Sequence, residues 1–275
     1  MNGLASFESR AHEDLFRRCL QSGVVPPKFS YAGSAAYRHH ILAATNGYLA
    51  VTDAIALEAD MIRHFDPRQI AEIGPGTGAH TAALLRVLSV ASPRYLGLDF
   101  SRTMLELAVP ALQGNPDLAV WDVDEGPSNA IREWRSSGMV LSLMLGNTLA
   151  NLDDPEVVLR HVRESLDPGD ALLLSVNFAD ESVDPASIVA AYQTAEFQAS
   201  VLESFRAANV DTGDLEVTFG DGELRAFVTL NDDGRRIQCF RSRRFSPGAL
   251  EKALDGFKKV CIRRSGSLGV ALVSV

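Results

Sequence analysis

A glycine-rich loop after the first apolar run of the central sequence carries the strongest chemical signal in the chain. Residues 72–78 read Glu-Ile-Gly-Pro-Gly-Thr-Gly, between a strand predicted at 69–73 and a helix predicted at 81–88. Glycine has no Cβ, so the backbone of such a loop turns tightly and comes close to a bound ligand. The loop alone is also compatible with an ordinary strand-to-helix turn, but the elements on both sides favour a ligand-binding loop.

Two further carboxylates stand at the ends of the next two predicted strands. Asp99 ends the strand 94–99, where it can accept hydrogen bonds from both hydroxyls of a ribose. The alternative is that Asp99 caps the following helix, although Ser101 can fill that role. Asp122 ends the strand 118–122, where it can accept from an adenine amino group or serve only as a turn residue. Ligands of open α/β sheets bind at the carboxyl ends of strands, so these positions together predict a site for ribose and adenine.

The elements around these residues alternate between strands and helices, which is typical of a parallel sheet with helices on both faces. The strands of this part are predicted at 69–73, 94–99, 118–122, 138–145 and 171–176. The helices between them are predicted at 81–88, 103–112 and 155–166. Two largely helical stretches, 4–22 and 34–64, precede the first strand.

Residues 177–245 interrupt this alternation. One long helix is predicted over 186–208. Antiparallel strands are predicted after it at 215–219, 223–230 and 236–240, because glycine-containing turns separate them. A helix at 247–257 and a closing pair of strands at 258–264 and 269–275 complete the chain.

Composition and charge favour a small-molecule partner. The chain has 275 residues, of which 46% are hydrophobic, and a net charge of −9. An acidic chain does not attract nucleic acid or anionic lipid over its whole surface, so neither is expected as a partner. Cys19, Cys239 and Cys261 form no C-x-x-C pair, so we expect a reducing cytoplasm and no metal. Residues 1–18 lack the apolar core of a signal peptide, and no run of ~18 apolar residues predicts a membrane span.

These motifs resemble those of the class I S-adenosylmethionine-dependent methyltransferases. Residues 72–78 are similar to the family's first motif, Asp99 to its ribose-binding acid and Asp122 to its adenine-binding acid. The resemblance implies a Rossmann-like α/β fold and S-adenosylmethionine as the cofactor. The cofactor-binding residues that it implies are Tyr31, Glu72, Gly74, Gly76, Thr77, Gly78, Asp99, Phe100, Ser101, Met104, Asp122, Val123 and Asn147.

The resemblance also implies a division of the chain. The cofactor-binding domain would comprise residues 67–180 and 246–275. Residues 1–66 would form an N-terminal helical lid over the substrate, and residues 181–245 an inserted α+β substrate-binding subdomain. The oligomeric state expected is a monomer or a homodimer.

A narrower resemblance is to the histidine Nα-methyltransferases of ergothioneine biosynthesis. The segments that carry it are 29–34, 47–53, 145–152, 166–174 and 236–247. Carried over to this sequence, Tyr31 and Asn151 would be catalytic, orienting the amine and stabilising its developing positive charge. The substrate-binding residues implied are Tyr48, Gly146, Asn147, Phe240 and Ser242.

Phe240 marks a departure from that family, which clamps the imidazole of histidine with a glutamate at this place. A phenyl ring cannot pair with an imidazole N–H, and specificity against isosteres depends on such buried polar groups. We therefore expect an N-methyltransferase that acts on the amine of an amino acid or an amino-acid-derived small molecule other than histidine, with an apolar or aromatic group at that end.

The sequence allows three alternative functions, of which two are disfavoured. An O-methyltransferase of a small carboxylate or hydroxyl metabolite would use the same cofactor site. A nucleotide-dependent oxidoreductase is disfavoured, because Gly74, Gly76 and Gly78 alternate instead of following G-x-G-x-x-G spacing. A non-catalytic binding module is disfavoured by the intact loop and the two acids.

Overall fold

The chain alternates between strands and helices up to residue 177, and an insertion then separates the last parallel strand from the closing hairpin. The computed structural model describes residues 7–45, 52–65, 67–89, 93–112 and 114–275. The helices are α1 (Arg10–Ser22), α2 (Ser34–Thr45), α3 (Thr52–Ile62), α4 (Ala79–Leu88), α5 (Arg102–Ala108), α6 (Ala130–Trp134), α7 (Thr148–Asn151), α8 (Pro155–Ser165), α9 (Pro185–Tyr192), α10 (Ala195–Ala207) and α11 (Pro247–Ala253). A 3₁₀ turn spans Pro27–Tyr31. The strands are β1 (Gln69–Ile73), β2 (Arg94–Asp99), β3 (Asp117–Val120), β4 (Leu141–Met144), β5 (Ala171–Asn177), β6 (Glu216–Gly220), β7 (Glu223–Thr229), β8 (Arg236–Arg243), β9 (Lys258–Ser265) and β10 (Leu268–Ser274).

The main sheet has seven strands in the order β3-β2-β1-β4-β5-β10-β9. Strands β1 to β5 run parallel, and β10 is antiparallel to both β5 and β9. The chain moves outward from β1 to β3 and then crosses to β4 on the other side of β1, so the strand order reverses there. Such a reversal opens a crevice at the carboxyl ends of the strands, where ligands of these sheets bind. The Rossmann-like α/β sheet predicted from the sequence is confirmed.

The central strands are apolar because helices cover both of their faces. Every residue of β1 and β4 is buried, as are the first six of β5. Apolar residues of α8 and α11 pack on one face, and apolar residues of α3 and α4 pack on the other. Near-continuous apolar strands are what a parallel sheet between two helical layers requires.

A second, antiparallel sheet of β6, β7 and β8 belongs to the insertion. It shares a core with α10, with α1 and with the 3₁₀ turn. Phe16 of α1 lies edge-on to Phe29 of the turn and to Phe205 of α10, with ring centroids 5.3 and 5.2 Å away. The first part of the N-terminal segment therefore packs with the insertion, whereas α3 packs on the main sheet.

Several predicted element boundaries are wrong. The helix predicted over 186–208 is two helices, because the Thr194 hydroxyl accepts a hydrogen bond from the Phe197 N–H (3.2 Å) and starts α10 anew. The helix predicted over 103–112 ends at Ala108. The first helix begins only at Arg10, since Ser9 caps it. Sequence periodicity did not indicate α6 and α7, which are too short to show one.

Among the residues that the structure describes, no helix is long and apolar enough to cross a bilayer. The same part of the chain brings no three His, Cys, Asp or Glu side chains into an arrangement that could hold a metal ion. Cys19, Cys239 and Cys261 are free thiols, and burial raises the pKa of Cys239.

Candidate active site

The glycine loop between β1 and α4 combines structural glycines with one that faces open space. Gly74, Gly76 and Gly78 all have positive φ, at 70°, 55° and 73°. A Cβ on Gly74 would lie 2.8 Å from the Thr148 side chain, and one on Gly78 would lie 2.9 Å from the Ala108 carbonyl oxygen. A Cβ on Gly76 would meet no atom of the described chain within 4 Å. Two glycines thus permit close packing, and the backbone at Gly76 is left free for a ligand to approach.

Glu72 lies inside the protein just before this loop. Its two carboxylate oxygens accept hydrogen bonds from the Thr81 hydroxyl, both at 2.6 Å, and from the Tyr95 hydroxyl. Burial raises the Glu72 pKa, although these hydrogen bonds oppose the shift. The side chain joins β1 to α4 and β2, and its predicted contact with the cofactor stays a prediction.

His80, on the first turn of α4 next to the glycine loop, has a partner that the sequence did not reveal. Its Nε2 lies 2.7 Å from Oε2 of Glu58, which is fully buried on α3. Oε1 of Glu58 has no hydrogen-bond partner among the described residues. Burial would lower the His80 pKa, but Glu58 outweighs burial and the pKa lies above its usual value. The N-terminus of α4, which directly follows the glycine loop, suits an anionic group bound there.

Asp99 ends β2 as a half-buried carboxylate. Its Oδ1 accepts the Ser101 backbone N–H (2.9 Å), while the Ser101 hydroxyl accepts the Met104 N–H (3.0 Å) and so caps α5. Burial raises the Asp99 pKa to about 7, and the negative charges of Glu8, Asp122 and Glu72 add to the shift. Ser101 is therefore the helix cap, and Asp99 keeps acceptor capacity for a ligand.

Glu8 is a second carboxylate in this region that sequence reasoning missed. Its Oε1 accepts hydrogen bonds from the Ser101 hydroxyl (2.5 Å), the Gly33 N–H (2.9 Å) and the Thr103 N–H (3.2 Å). Burial alone would raise the Glu8 pKa, but these hydrogen bonds outweigh it and the pKa lies below its usual value. No local pattern could have indicated the contact, because 93 residues separate Glu8 from Ser101.

Asp122 follows β3, between the buried side chains of Trp121 and Val123. Its Oδ2 lies 2.6 Å from the ammonium of Lys28, which comes from the 3₁₀ turn. The same ammonium lies 4.9 Å from the centre of the Phe100 ring. The predicted adenine-binding acid is thus already ion-paired with a lysine that the sequence analysis did not single out.

Asn147, in the loop after β4, links β5 to β8. Its backbone is left-handed, with φ of 68°. The side-chain amide donates to the Ser242 hydroxyl on β8 (3.1 Å), and its oxygen accepts the Asn177 N–H at the end of β5 (2.8 Å). Gly146 donates its N–H to the Ser175 hydroxyl (3.0 Å). Gly146, Asn147 and Ser242, which are about 95 residues apart at the extremes, are thereby brought together.

Asn151 presents an unpaired acceptor. Its side-chain oxygen is buried and has no hydrogen-bond partner among the described residues. A buried acceptor without a donor costs about 1–3 kcal/mol, so native proteins seldom keep one without reason. An N–H of a bound ligand would satisfy it.

Tyr31 and Phe240 lie in the apolar cluster between the insertion and the N-terminal helices. Phe240 is 4% exposed, with its ring centroid 5.0 Å from that of Phe197 and 6.0 Å from that of Tyr192. Burial raises the Tyr31 pKa, and the nearby Tyr192 and Asp99 raise it further, so the phenol stays protonated. The sequence analysis did not select Tyr192 as a site residue, because it predicted one continuous helix through this position. In the structure α9 ends at Tyr192. Tyr48 lies outside the described residues.

Comparison with known proteins places these features in a family. Residues 17–244 match the model of a family described as histidine-specific, SAM-dependent methyltransferases. No curated protein matches the chain. Similar solved structures include a DhpI–SAH complex (18% identity, 86% of this chain and 91% of that chain covered, TM-score 0.51) and a DhpI–SAM–HEP complex (19%, 87% and 95%, 0.50). A SAM-dependent methyltransferase from Clostridium acetobutylicum ATCC 824 is also similar (13%, 80% and 89%, 0.46).

The two DhpI structures share the fold, and the family match covers strands β1 to β8. The sequence prediction of a methyltransferase with S-adenosylmethionine as its cofactor is confirmed. The chain belongs to the histidine-specific, SAM-dependent methyltransferase family and is an S-adenosylmethionine-dependent methyltransferase.

Proposed function

We propose that this enzyme methylates the amine nitrogen of an amino acid or amino-acid-like small molecule whose side chain is apolar or aromatic, and that histidine is not its substrate. The observation that carries the proposal is the position of Phe240, packed against Phe197 and Tyr192. An imidazole N–H placed against ring faces loses its hydrogen bond with water and gains little in return, whereas an apolar group gains from the contact.

The residues at the carboxyl ends of β1, β2 and β3 fit the cofactor. The open backbone at Gly76 can approach it, Asp99 can accept from the ribose hydroxyls, and Asp122 can accept from the adenine amino group. His80, paired with Glu58, suits the carboxylate of the methionine end. When bound, S-adenosylmethionine supplies a methyl group that its sulfonium centre makes reactive.

Asn151 and Tyr31 hold the amine in this proposal. The unpaired oxygen of Asn151 accepts an amine N–H, which fixes the direction of the nitrogen lone pair and stabilises positive charge on the nitrogen. Tyr31 stays protonated and therefore orients the amine instead of removing its proton. Water takes the proton before the transfer. Alignment of this kind can contribute up to ~7–11 kcal/mol in well-positioned reactions.

The proposal also assigns a role to each segment of the chain. Residues 1–66 act as a lid, residues 181–245 as the substrate subdomain, and residues 67–180 with 246–275 as the cofactor domain. The apolar core common to α1, the 3₁₀ turn and the insertion supports a lid whose first part moves with the subdomain, whereas α3 packs on the main sheet and stays with it. We propose a cytoplasmic enzyme of small-molecule metabolism, monomeric or homodimeric.

Three matched compounds separate N-methylation from O-methylation: phenylalanine, its N-acetyl derivative and its methyl ester. Each is incubated with enzyme and S-adenosylmethionine, and fragmentation mass spectrometry locates the added methyl group. We expect methylation of the nitrogen in phenylalanine and in its ester, and no reaction of the N-acetyl compound. Methylation of the N-acetyl compound on its carboxylate would instead show an O-methyltransferase.

A further inference from the structure

Lys28 stands among three acidic side chains at the proposed cofactor site. Its ammonium lies 2.6 Å from Asp122 Oδ2, 3.8 Å from Asp124 Oδ2 and 4.0 Å from Glu125 Oε1. The Lys28 side chain is only 11% exposed, and those of Asp122 and Asp124 are 18% and 13% exposed. Charges this far from water interact strongly, so the position of the ammonium controls the orientation of the carboxylates around it.

The backbone around Lys28 is anchored by contacts of its neighbours in sequence. The next residue, Phe29, is 1% exposed and stacks on His12 with ring centroids 4.9 Å apart. Before the turn, the Val25 N–H donates to the Gln238 carbonyl oxygen of β8 (2.8 Å). The lysine therefore reaches Asp122 from an anchored turn, across 94 residues of sequence.

The ion pair makes the two oxygens of Asp122 unequal. Oδ2 pairs with the Lys28 ammonium, while Oδ1 accepts only the Asp124 N–H (3.2 Å) among the residues that the structure describes. A carboxylate offers about four lone-pair sites, so Oδ1 can accept a further donor while Lys28 holds Oδ2. An amino group of adenine is such a donor.

We propose that Lys28 is a positioning residue for adenine recognition: by holding Oδ2 of Asp122, it aims Oδ1 at the adenine amino group. The inference rests on the proposed role of Asp122 as the adenine acceptor. It also links the two ends of the site, because Lys28 and Tyr31 stand on the same 3₁₀ turn.

The test compares S-adenosylhomocysteine with S-inosylhomocysteine, in which a carbonyl oxygen replaces the adenine amino group. Calorimetry gives both dissociation constants for each protein, and their ratio measures recognition of the amino group. We expect the wild type to prefer the adenosyl compound by roughly 10- to 100-fold. This ratio of dissociation constants corresponds to the free energy of one hydrogen bond to a charged group. Lys28→Met should reduce this ratio to about 3-fold or less, and Lys28→Arg should restore most of it.

The ratio separates positioning from a general structural effect, because looser packing weakens both ligands alike and leaves the ratio unchanged. Lys252→Met is the matched control: Lys252 pairs with Glu156 at 2.7 Å on the surface, and its removal should leave both constants unchanged. Thermal unfolding of each variant verifies that it folds. If Lys28→Met fails to fold, Lys28→Arg is measured instead. Complete loss of its preference for the adenosyl compound would count against the proposal, because arginine keeps the positive charge.

The outcomes distinguish this inference from the cofactor assignment beneath it. If Asp122→Ala abolishes the preference but Lys28→Met keeps it in full, the Lys28 inference is wrong and the assignment of Asp122 stands. If the wild type shows no preference and Asp122→Ala binds both ligands normally, the assignment of Asp122 itself is wrong. If Lys28→Met binds S-adenosylhomocysteine more tightly than the wild type does, Lys28 competes with adenine and the positioning role is overturned.

Discussion

The two ends of the crevice are built in different ways. The cofactor end uses short stretches that directly follow neighbouring strands, such as the loop 74–78 and Asp99. The residues proposed for the substrate end come from distant parts of the chain: Tyr31 on the 3₁₀ turn, Asn151 on α7 and Phe240 on β8. The loop 74–78 and Asp99 present backbone and carboxylate groups, whereas Tyr31 and Phe240 lie in an apolar cluster that includes Phe197 and Tyr192. A local motif thus supplies the residues proposed for the cofactor, whereas the packing of the insertion against α1 and the 3₁₀ turn brings together residues proposed for the substrate.

The largest effect should come from the cofactor end. Asp99→Ala removes the acceptor proposed for both ribose hydroxyls, and we expect S-adenosylhomocysteine to bind at least about 100-fold more weakly. The protein should still fold, since the one described hydrogen bond of this carboxylate goes to the Ser101 N–H. Calorimetry measures the change, with Asp214→Ala, an exposed aspartate, as the control. Unchanged affinity would remove Asp99 from the site.

At the substrate end, Asn151→Ala should reduce kcat/KM by roughly 10- to 100-fold, because the amine loses its acceptor. The affinity for S-adenosylhomocysteine should stay within about 2-fold of the wild type, which would separate the two ends experimentally. Asn129→Ala, at an exposed position, serves as the control. An equal loss of affinity for S-adenosylhomocysteine would show instead that Asn151 also supports cofactor binding.

A pH series should affect the cofactor end through Asp99. Because burial raises its pKa to about 7, this carboxyl is ionised in the free protein at pH 8 and largely protonated at pH 6. The ribose hydroxyls need an acceptor, so S-adenosylhomocysteine should bind about ten-fold more weakly at pH 6. Glu8→Gln removes a neighbouring negative charge and should move the midpoint to lower pH. If the midpoint of the pH dependence is the same in Glu8→Gln as in the wild type, a group other than Asp99 is responsible for it.

The smallest effect tests how the substrate end is assembled. Thr194→Ala removes the hydroxyl that starts α10, and we expect the free energy of unfolding to fall by about 1 kcal/mol. Chemical denaturation measures this change. If stability is unaffected, the break between α9 and α10 does not depend on the cap.

The sequence predicted the parallel sheet and the cofactor end because their signals are local. Apolar runs indicate buried strands, and the residues that follow each strand meet at one edge of the sheet. The same reasoning could not find Glu8 or Lys28, since their partners are 93 and 94 residues away. It also missed the break before Thr194 and hence Tyr192, because helical periodicity continued across both helices. Phe240 was predicted from a family resemblance, and only the structure shows its contacts with Tyr192 and Phe197.

Side-chain specificity is the central claim, and calorimetry tests it most directly. The enzyme is saturated with S-adenosylhomocysteine and titrated in turn with phenylalanine, tryptophan, leucine and histidine. We predict that an amino acid with an apolar or aromatic side chain binds at least about 10-fold more tightly than histidine, because Phe240 offers a ring face and no partner for an imidazole N–H. Tightest binding of histidine would contradict the account and would show that another group recognises the imidazole.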